Sequence, residues 1–268
     1  MIFGNFKETI WKFYYKNKRS FPWRKTHDPY RIFVSELMLQ QTQADRVVPK
    51  YLVFIEKYKT VGDLARASQR DVLTLWQGLG YNRRALYLMR AAKIITEKYG
   101  GKFPKTIQEL TVLPGIGSYT ARAILTFAYN IPNVFIETNI RTVYLYFFFK
   151  NAELKSISDN DLMQKIEKTV DNHNPREWYF ALMDYGTMLK KIERAKNTAS
   201  KTYGKQKPFK GSRRQLRGAI LRTLVNESSV TFKNMSKILE GDDRIQDELI
   251  SLEKEGFILN KKNTFSLV

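Results

Sequence analysis

The chain has 268 residues, 43% of them hydrophobic, enough to bury the core of one two-lobed globule or two small domains. Forty-six Lys and Arg against 26 Asp and Glu leave a formal charge of +20, which favours a polyanionic partner: nucleic acid first, with an anionic membrane as the competing reading. There is no cysteine, which excludes disulfides, thiolate zinc sites and cysteine-ligated iron–sulfur clusters. The two histidines, His27 and His173, are too few and too separated for a metal centre held by side chains. No apolar run approaches the roughly twenty residues that span a bilayer, and the amino terminus lacks a signal-peptide core. Composition alone suits a ribosomal or architectural protein equally well.

In chain order, residues 6–16 predict a short amphipathic helix closed by the basic run KNKRS, and Trp23 sits at a Pro-Trp turn as a packing anchor. A helix over 30–43 places Tyr30, Phe33, Val34, Leu37 and Met38 on one stripe. Glu36 lies off the centre of that stripe, where it either looks into a cleft or is an ordinary solvated carboxylate. Residues 82–99 predict a helix with a core stripe, ended by paired glycines. Arg83 and Arg84 at its start are phosphate contacts or a solvated helix end.

A helix over 106–112 then leads into Leu-Pro-Gly-Ile-Gly-Ser, residues 113–118. This is the punctuation of a tight hairpin between helices, since glycine permits positive φ and close backbone approach. Gly115, Gly117 and Ser118 would leave N–H groups free at the next helix start, an anion site that suits a phosphate. A plain helix–turn–helix in a core is the alternative. Residues 144–149, YLYFFF, read as core, and helices near 159–170 and 175–189 follow. Asp184 is expected to pack or cap.

The stretch from Lys190 to Arg217 is basic, either a flexible linker or a surface lying against DNA. From Ser212 three amphipathic runs (212–226, 231–239 and 243–255) precede two short strands around Asn260 to Asn263, a pattern that resembles a winged helix. Its third run is acidic, which argues against insertion into a DNA groove and for packing on the main lobe or a protein contact. The expected segments are 1–189, a basic linker over 190–211, and a module over 212–268.

Four motifs in order (PWRKTHDPYRIFVSELMLQQTQ, LWQGLGYNRRA, GGKFPKT and LPGIGSYTA) resemble the helix-hairpin-helix (HhH-GPD) DNA glycosylases, most of all the MutY-type adenine DNA glycosylases. The similarity runs from about Phe21 to about Gly186. It implies an all-α, two-lobed glycosylase fold, here followed by the small α+β winged-helix-like module. It also implies site roles: Glu36 as the general acid, Gln41 as the wedge that fills the gap left by a flipped base, and Tyr81 as the aromatic beside the opposite base. Tyr119 stands where bifunctional relatives carry a nucleophilic lysine. A phenol has no amine for a Schiff base, so base excision without lyase activity is expected. Glu137 and Asn139 fall on the family's Asp-Gly-Asn pattern, whose carboxylate supports an oxocarbenium-like sugar. Arg141, slightly further on, is expected at a phosphate.

Five departures matter. Glu137 is one methylene longer than the family aspartate, and a misplacement of about 1 Å can cost on the order of a hundredfold in rate. Thr138 replaces a glycine, and Asn82 stands where a second aromatic is usual. The family's four-cysteine cluster is replaced by the basic stretch, and the module does not match the domain by which full-length relatives read 8-oxoguanine. The expected cofactor set is therefore empty, apart from a monovalent cation that the resemblance places on the hairpin backbone. The leading expectation is a monomer acting on duplex DNA in the cytoplasm, at the nucleoid, and excising a mispaired purine, adenine first. Alkylated, deaminated or oxidised purines are the alternative substrates, and a non-catalytic binder of damaged DNA is the alternative class.

Overall fold

Apolar residues recurring at helical spacing become helices here because each stripe finds another to pack against. The computed structural model describes residues 2–153, 155–192, 197–202, 204 and 208–268. The order is α1 (Ile2–Asn17), α2 (Pro29–Leu39), α3 (Ala44–Lys57), α4 (Val61–Ala65), α5 (Gln69–Trp76), α6 (Arg83–Tyr99), α7 (Ile107–Thr111), α8 (Ser118–Tyr129), α9 (Thr138–Phe148), α10 (Asp159–Glu167) and α11 (Pro175–Ile192). Then come α12 (Arg213–Asn226), β1 (Val230–Thr231), α13 (Phe232–Ile238), α14 (Ile245–Lys254), β2 (Ile258–Lys261) and β3 (Thr264–Leu267). The fold is thus mostly helical with a small antiparallel sheet at the carboxy-terminal end, as expected.

Two compact units form, each from several chain segments. The first comprises Met1–Glu36, Pro104–Val112 and Ile116–Lys205. Its core is aromatic: Phe6 meets Trp178 edge-on at 5.8 Å and Phe147 at 5.0 Å, which seats α1 on α9 and α11. Trp23 is a packing anchor, stacked on Phe21 at 5.0 Å. Asp184 of α11 is buried and accepts from Arg19 at 2.7 Å and Arg24 at 2.9 Å, tying down the turn before α2. Arg176 binds the carbonyls of Arg24, Thr26 and Phe127 in the same region. Between α9 and α11 the backbones nearly touch, because a Cβ on Gly186 would lie 2.3 Å from the Asn139 carbonyl oxygen.

The second unit comprises Leu37–Phe103, Leu113–Gly115 and Gln206–Val268. It cuts across the segments read from the sequence, since the carboxy-terminal module is bonded to the 37–103 stretch. Gln69 Nε2 donates to the Phe257 carbonyl at 2.5 Å and Arg90 to that of Glu255 at 2.8 Å. The sheet order is β1-β3-β2, all antiparallel, with the β2–β3 turn made by Lys262 and Asn263 at φ 51° and 59°. β1 is a strand the sequence pattern missed, being two residues long. The acidic α14 faces arginines: Glu248, fully buried, meets Arg213 and Arg217, and Glu255 meets Arg83 at 2.7 Å and Arg217 at 2.8 Å.

The helix expected over 30–43 stops at Leu39. Arg84 explains the stop. Its guanidinium donates to the carbonyls of Leu37 and Met38 at 2.8 Å each and of Gln40 at 2.5 Å, the orphan acceptors of a helix end. It also takes the carbonyls of Leu79 and Gly80 at 3.2 and 2.8 Å, so one arginine pins two loops. Of the basic stretch 190–211, residues 193–196, 203 and 205–207 lie outside the described residues.

Candidate active site

Three helices of the first unit converge on two carboxylates. Glu36, on α2, is 7% exposed. Its Oε2 accepts from the Tyr119 hydroxyl, at the start of α8, at 3.2 Å. Burial pushes the Glu36 carboxyl up to about 7, the Tyr119 hydrogen bond pulls against that, and the nearby charge of Glu137 adds to it. The Tyr119 hydroxyl is itself pushed far up, first by burial and then by the two carboxylates, so it stays a donor. Its ring packs edge-on against Phe135 at 5.6 Å, and Phe135 stacks on Tyr179 at 3.9 Å, an aromatic wall that fixes the phenol.

Glu137 is the N-cap of α9. Its Oε1 accepts from the backbone N–H of Asn139 and of Ile140, both at 2.8 Å, and Oε2 accepts from Asn139 Nδ2 at 3.2 Å. The extra methylene is absorbed by folding the carboxylate back onto the helix end, where the dipole favours negative charge. Burial still raises its pKa, and the two backbone donors, Lys190 and Arg141 hold that rise down. Asn139 joins the network from both ends, because Lys190 Nζ donates to its Oδ1 at 2.8 Å.

The remaining expected residues take different places. Arg141 pairs with Asp159 and donates to Ser200 Oγ at 2.8 Å. Arg84 is 6% exposed and committed to carbonyls, a staple of the loops where a phosphate contact was expected, because its donors already face inward. Arg83 is exposed and paired with Glu255. Gln41 is exposed at a left-handed φ of 55°, and Tyr81 is half-buried at φ 48°, a backbone state unusual for an aromatic. The Tyr81 hydroxyl accepts from Arg214 Nη1 at 2.7 Å, a partner supplied by α12. Gly115 has φ 79°, and a Cβ there would strike Tyr87 at 2.7 Å, so glycine is required. Gly117 is the N-cap of α8 with no side-chain cap bond, and Ser118 beside it is exposed.

Sequence reasoning missed Lys190, Gly186 and Arg214 as site residues. The first two carried a signal in their spacing of four, one face of a helix. Among the described residues no cluster of three or more His, Cys, Asp or Glu offers a metal site. No described helix is long and apolar enough to cross a membrane.

A glycine hairpin feeding a helix start, together with a buried acid and a capped carboxylate, defines a helix-hairpin-helix protein with the groups for general-acid chemistry. The model of the HhH-GPD superfamily of base excision DNA repair proteins matches residues 34–171, more than half of the chain, and the chain belongs to this superfamily. An adenine DNA glycosylase of Buchnera aphidicola subsp. Baizongia pistaciae is 35% identical over 185 residues, which cover 69% of this chain and 52% of that protein. The chain spans about half the length of the curated relatives it matches first. Among solved structures, a thermostable thymine-DNA glycosylase superposes with a TM-score of 0.63 at 28% identity, over 70% of this chain and 87% of that one. A trapped endonuclease III–DNA covalent intermediate shares the fold, with a TM-score of 0.55 at 18% identity over 68% and 82% of the two chains.

Proposed function

We propose that the chain is a monofunctional DNA glycosylase that flips a mispaired or damaged purine out of duplex DNA and hydrolyses its N-glycosidic bond, with adenine as the first substrate. One observation carries this reading: a buried carboxyl, Glu36, held near neutral pKa and hydrogen-bonded to Tyr119 beside a second, capped carboxylate. Protonated Glu36 delivers its proton to purine N7, and the C1′–N9 bond breaks with its electron pair passing to the base. Glu137, with Oε2 the less committed oxygen, faces the sugar cation that remains. Glu36, now ionised, accepts a proton from the water that attacks C1′, which regenerates the acid. Tyr119 and Asn139 orient the two carboxylates.

In the same reading Gln41 and Tyr81 hold the opened duplex, while Arg83, Gly115, Gly117 and Ser118 meet the DNA backbone and Arg141, held by Asp159 and Ser200, braces the start of α9. Backbone carbonyls at the hairpin suit a weakly held monovalent cation, since Gly115 turns the chain left-handed there; DNA affinity in potassium against tetramethylammonium chloride tests it. The enzyme works as a monomer on nucleoid DNA in the cytoplasm. The name of the relatives, adenine DNA glycosylase, supports adenine as substrate. The likeness to a thymine-DNA glycosylase favours a second reading, a mispaired thymine. Thymine has no N7 for Glu36 to protonate, so the acid favours the purine.

Single-turnover base release on a duplex panel decides among these. The panel holds adenine opposite 8-oxoguanine and guanine, hypoxanthine, an alkylated purine, an oxidised guanine and thymine opposite guanine. Adenine release is expected, reduced about 10²- to 10⁴-fold by Glu36→Gln. Borohydride should trap no covalent complex. Salt-sensitive binding with no release from any duplex would make the protein a non-catalytic DNA binder.

A further inference from the structure

Lys190 sits in the last turn of α11, fifty-one residues from the asparagine it touches. Its placement follows from Gly186, one turn earlier on the same helix face. Only a hydrogen at that position lets α11 come against the Asn139 carbonyl, and four residues on the lysine side chain then reaches the Asn139 amide. The half-buried ammonium donates to Asn139 Oδ1 at 2.8 Å, which leaves Nδ2 to donate to Glu137 Oε2 at 3.2 Å. An amide facing a cation can point only its oxygen that way, so the lysine decides which end of Asn139 meets the carboxylate.

We propose that Lys190 is a positioning residue of the candidate site: its ammonium orients the Asn139 amide toward Glu137 and supplies the positive charge that holds Glu137 anionic. The proposal rests on the reading of Glu137 as the carboxylate that faces the sugar cation. Burial lowers the lysine's own pKa while Glu137 raises it, as two opposite charges sharing one partly dry site require. Other charged or titratable groups coupled to Glu137 are Arg141 on α9, itself paired with Asp159 of α10, Glu36 on α2 and Tyr119 on α8. Among these cations Arg141 is already engaged by Asp159, whereas Lys190 is bonded into the Asn139–Glu137 pair directly.

Three substitutions separate the two roles. Lys190→Met loses donor and charge, Lys190→Gln keeps a donor for Asn139 without charge, and Lys190→Arg keeps both in a different shape. The first readout is the carbon-13 carboxyl titration of Glu137 in the free protein, which needs no substrate. Its midpoint should rise by about one pH unit or more in the Met and Gln variants and return toward the parent in the Arg variant. The second is single-turnover base release against pH. Its acidic limb should move up by the same interval in Met and Gln, with a plateau loss of about tenfold or more in Met alone. An unshifted Glu137 titration overturns the proposal, as does a rate loss equal at every pH that arginine does not rescue. A shifted titration in a protein that releases no base would uphold the lysine's role and reject the glycosylase reading instead.

Discussion

Each unit of the molecule buries glutamates, and the two treat them in opposite ways. Glu36 of the first unit has a neutral phenol for a partner, and burial takes its carboxyl up to about 7. Glu255 of the second unit is also pushed up by burial, yet two guanidiniums, Arg83 and Arg217, more than offset this and hold it below its ordinary value. The same side chain is therefore an acid in one place and half of a staple in the other. What decides is whether a cation is within reach once water is gone. Glu137 is the intermediate case, half-buried and answered by helix N–H groups and Lys190.

The largest expected effect breaks the staple. Arg217→Met leaves Glu248, which has no exposure, and Glu255 short of a guanidinium they share, and should cost on the order of 3 kcal/mol in urea unfolding at pH 7. Glu36→Gln should do the reverse. Between about pH 4.5 and about 7 the unfolded chain gives up the Glu36 proton while the folded one keeps it, so native stability falls across that window and stays flat above it. The variant, which never ionises, should be more stable than the parent by on the order of 2–3 kcal/mol at pH 8 and indistinguishable below pH 4.5.

Glu255→Gln tests the opposite sign. Its folded pKa is depressed, so its contribution is present above about pH 4.5 and lost as pH falls through the lower folded value. A loss of about 1 kcal/mol at pH 7 that fades as pH falls through the folded value is expected from thermal melts. Tyr119→Phe should give the smallest change. It removes the hydrogen bond that lowers Glu36, so the basic limb of base release should move to higher pH by up to about one unit. A limb that stays in place would detach Tyr119 from the acid.

Much of the helical framework was legible in the sequence, because apolar spacing and capping residues are local signals. The helices over 83–99 and 213–226 lie within a residue of where the pattern put them. The end of α2 was not legible: nothing near Leu39 stops a helix, and the arginine that does so is some forty-five residues away. The same distance hid the use of the acidic α14. Its charge argued against a groove-inserting helix, and the arginines that answer it are spread over positions 83, 213 and 217.

By itself the sequence determined the family, through ordered motifs whose residues are local: the carboxylate in SELMLQQTQ, the glycines of the hairpin, the Glu-Thr-Asn step, and the lack of any cysteine. Tertiary structure alone decided what those groups are. Glu36 becomes a near-neutral acid only when helices distant in sequence remove its water. Burial raises the Glu137 pKa, and a helix end and a lysine from α11 answer that rise. Arg84 and Arg83, adjacent in the chain, part ways into a buried staple and an exposed ion pair. The physical reason is common to all three. Chain position sets which group is present, but desolvation and the charges brought within a few ångströms set its protonation and partners, and those come from packing between segments far apart in sequence.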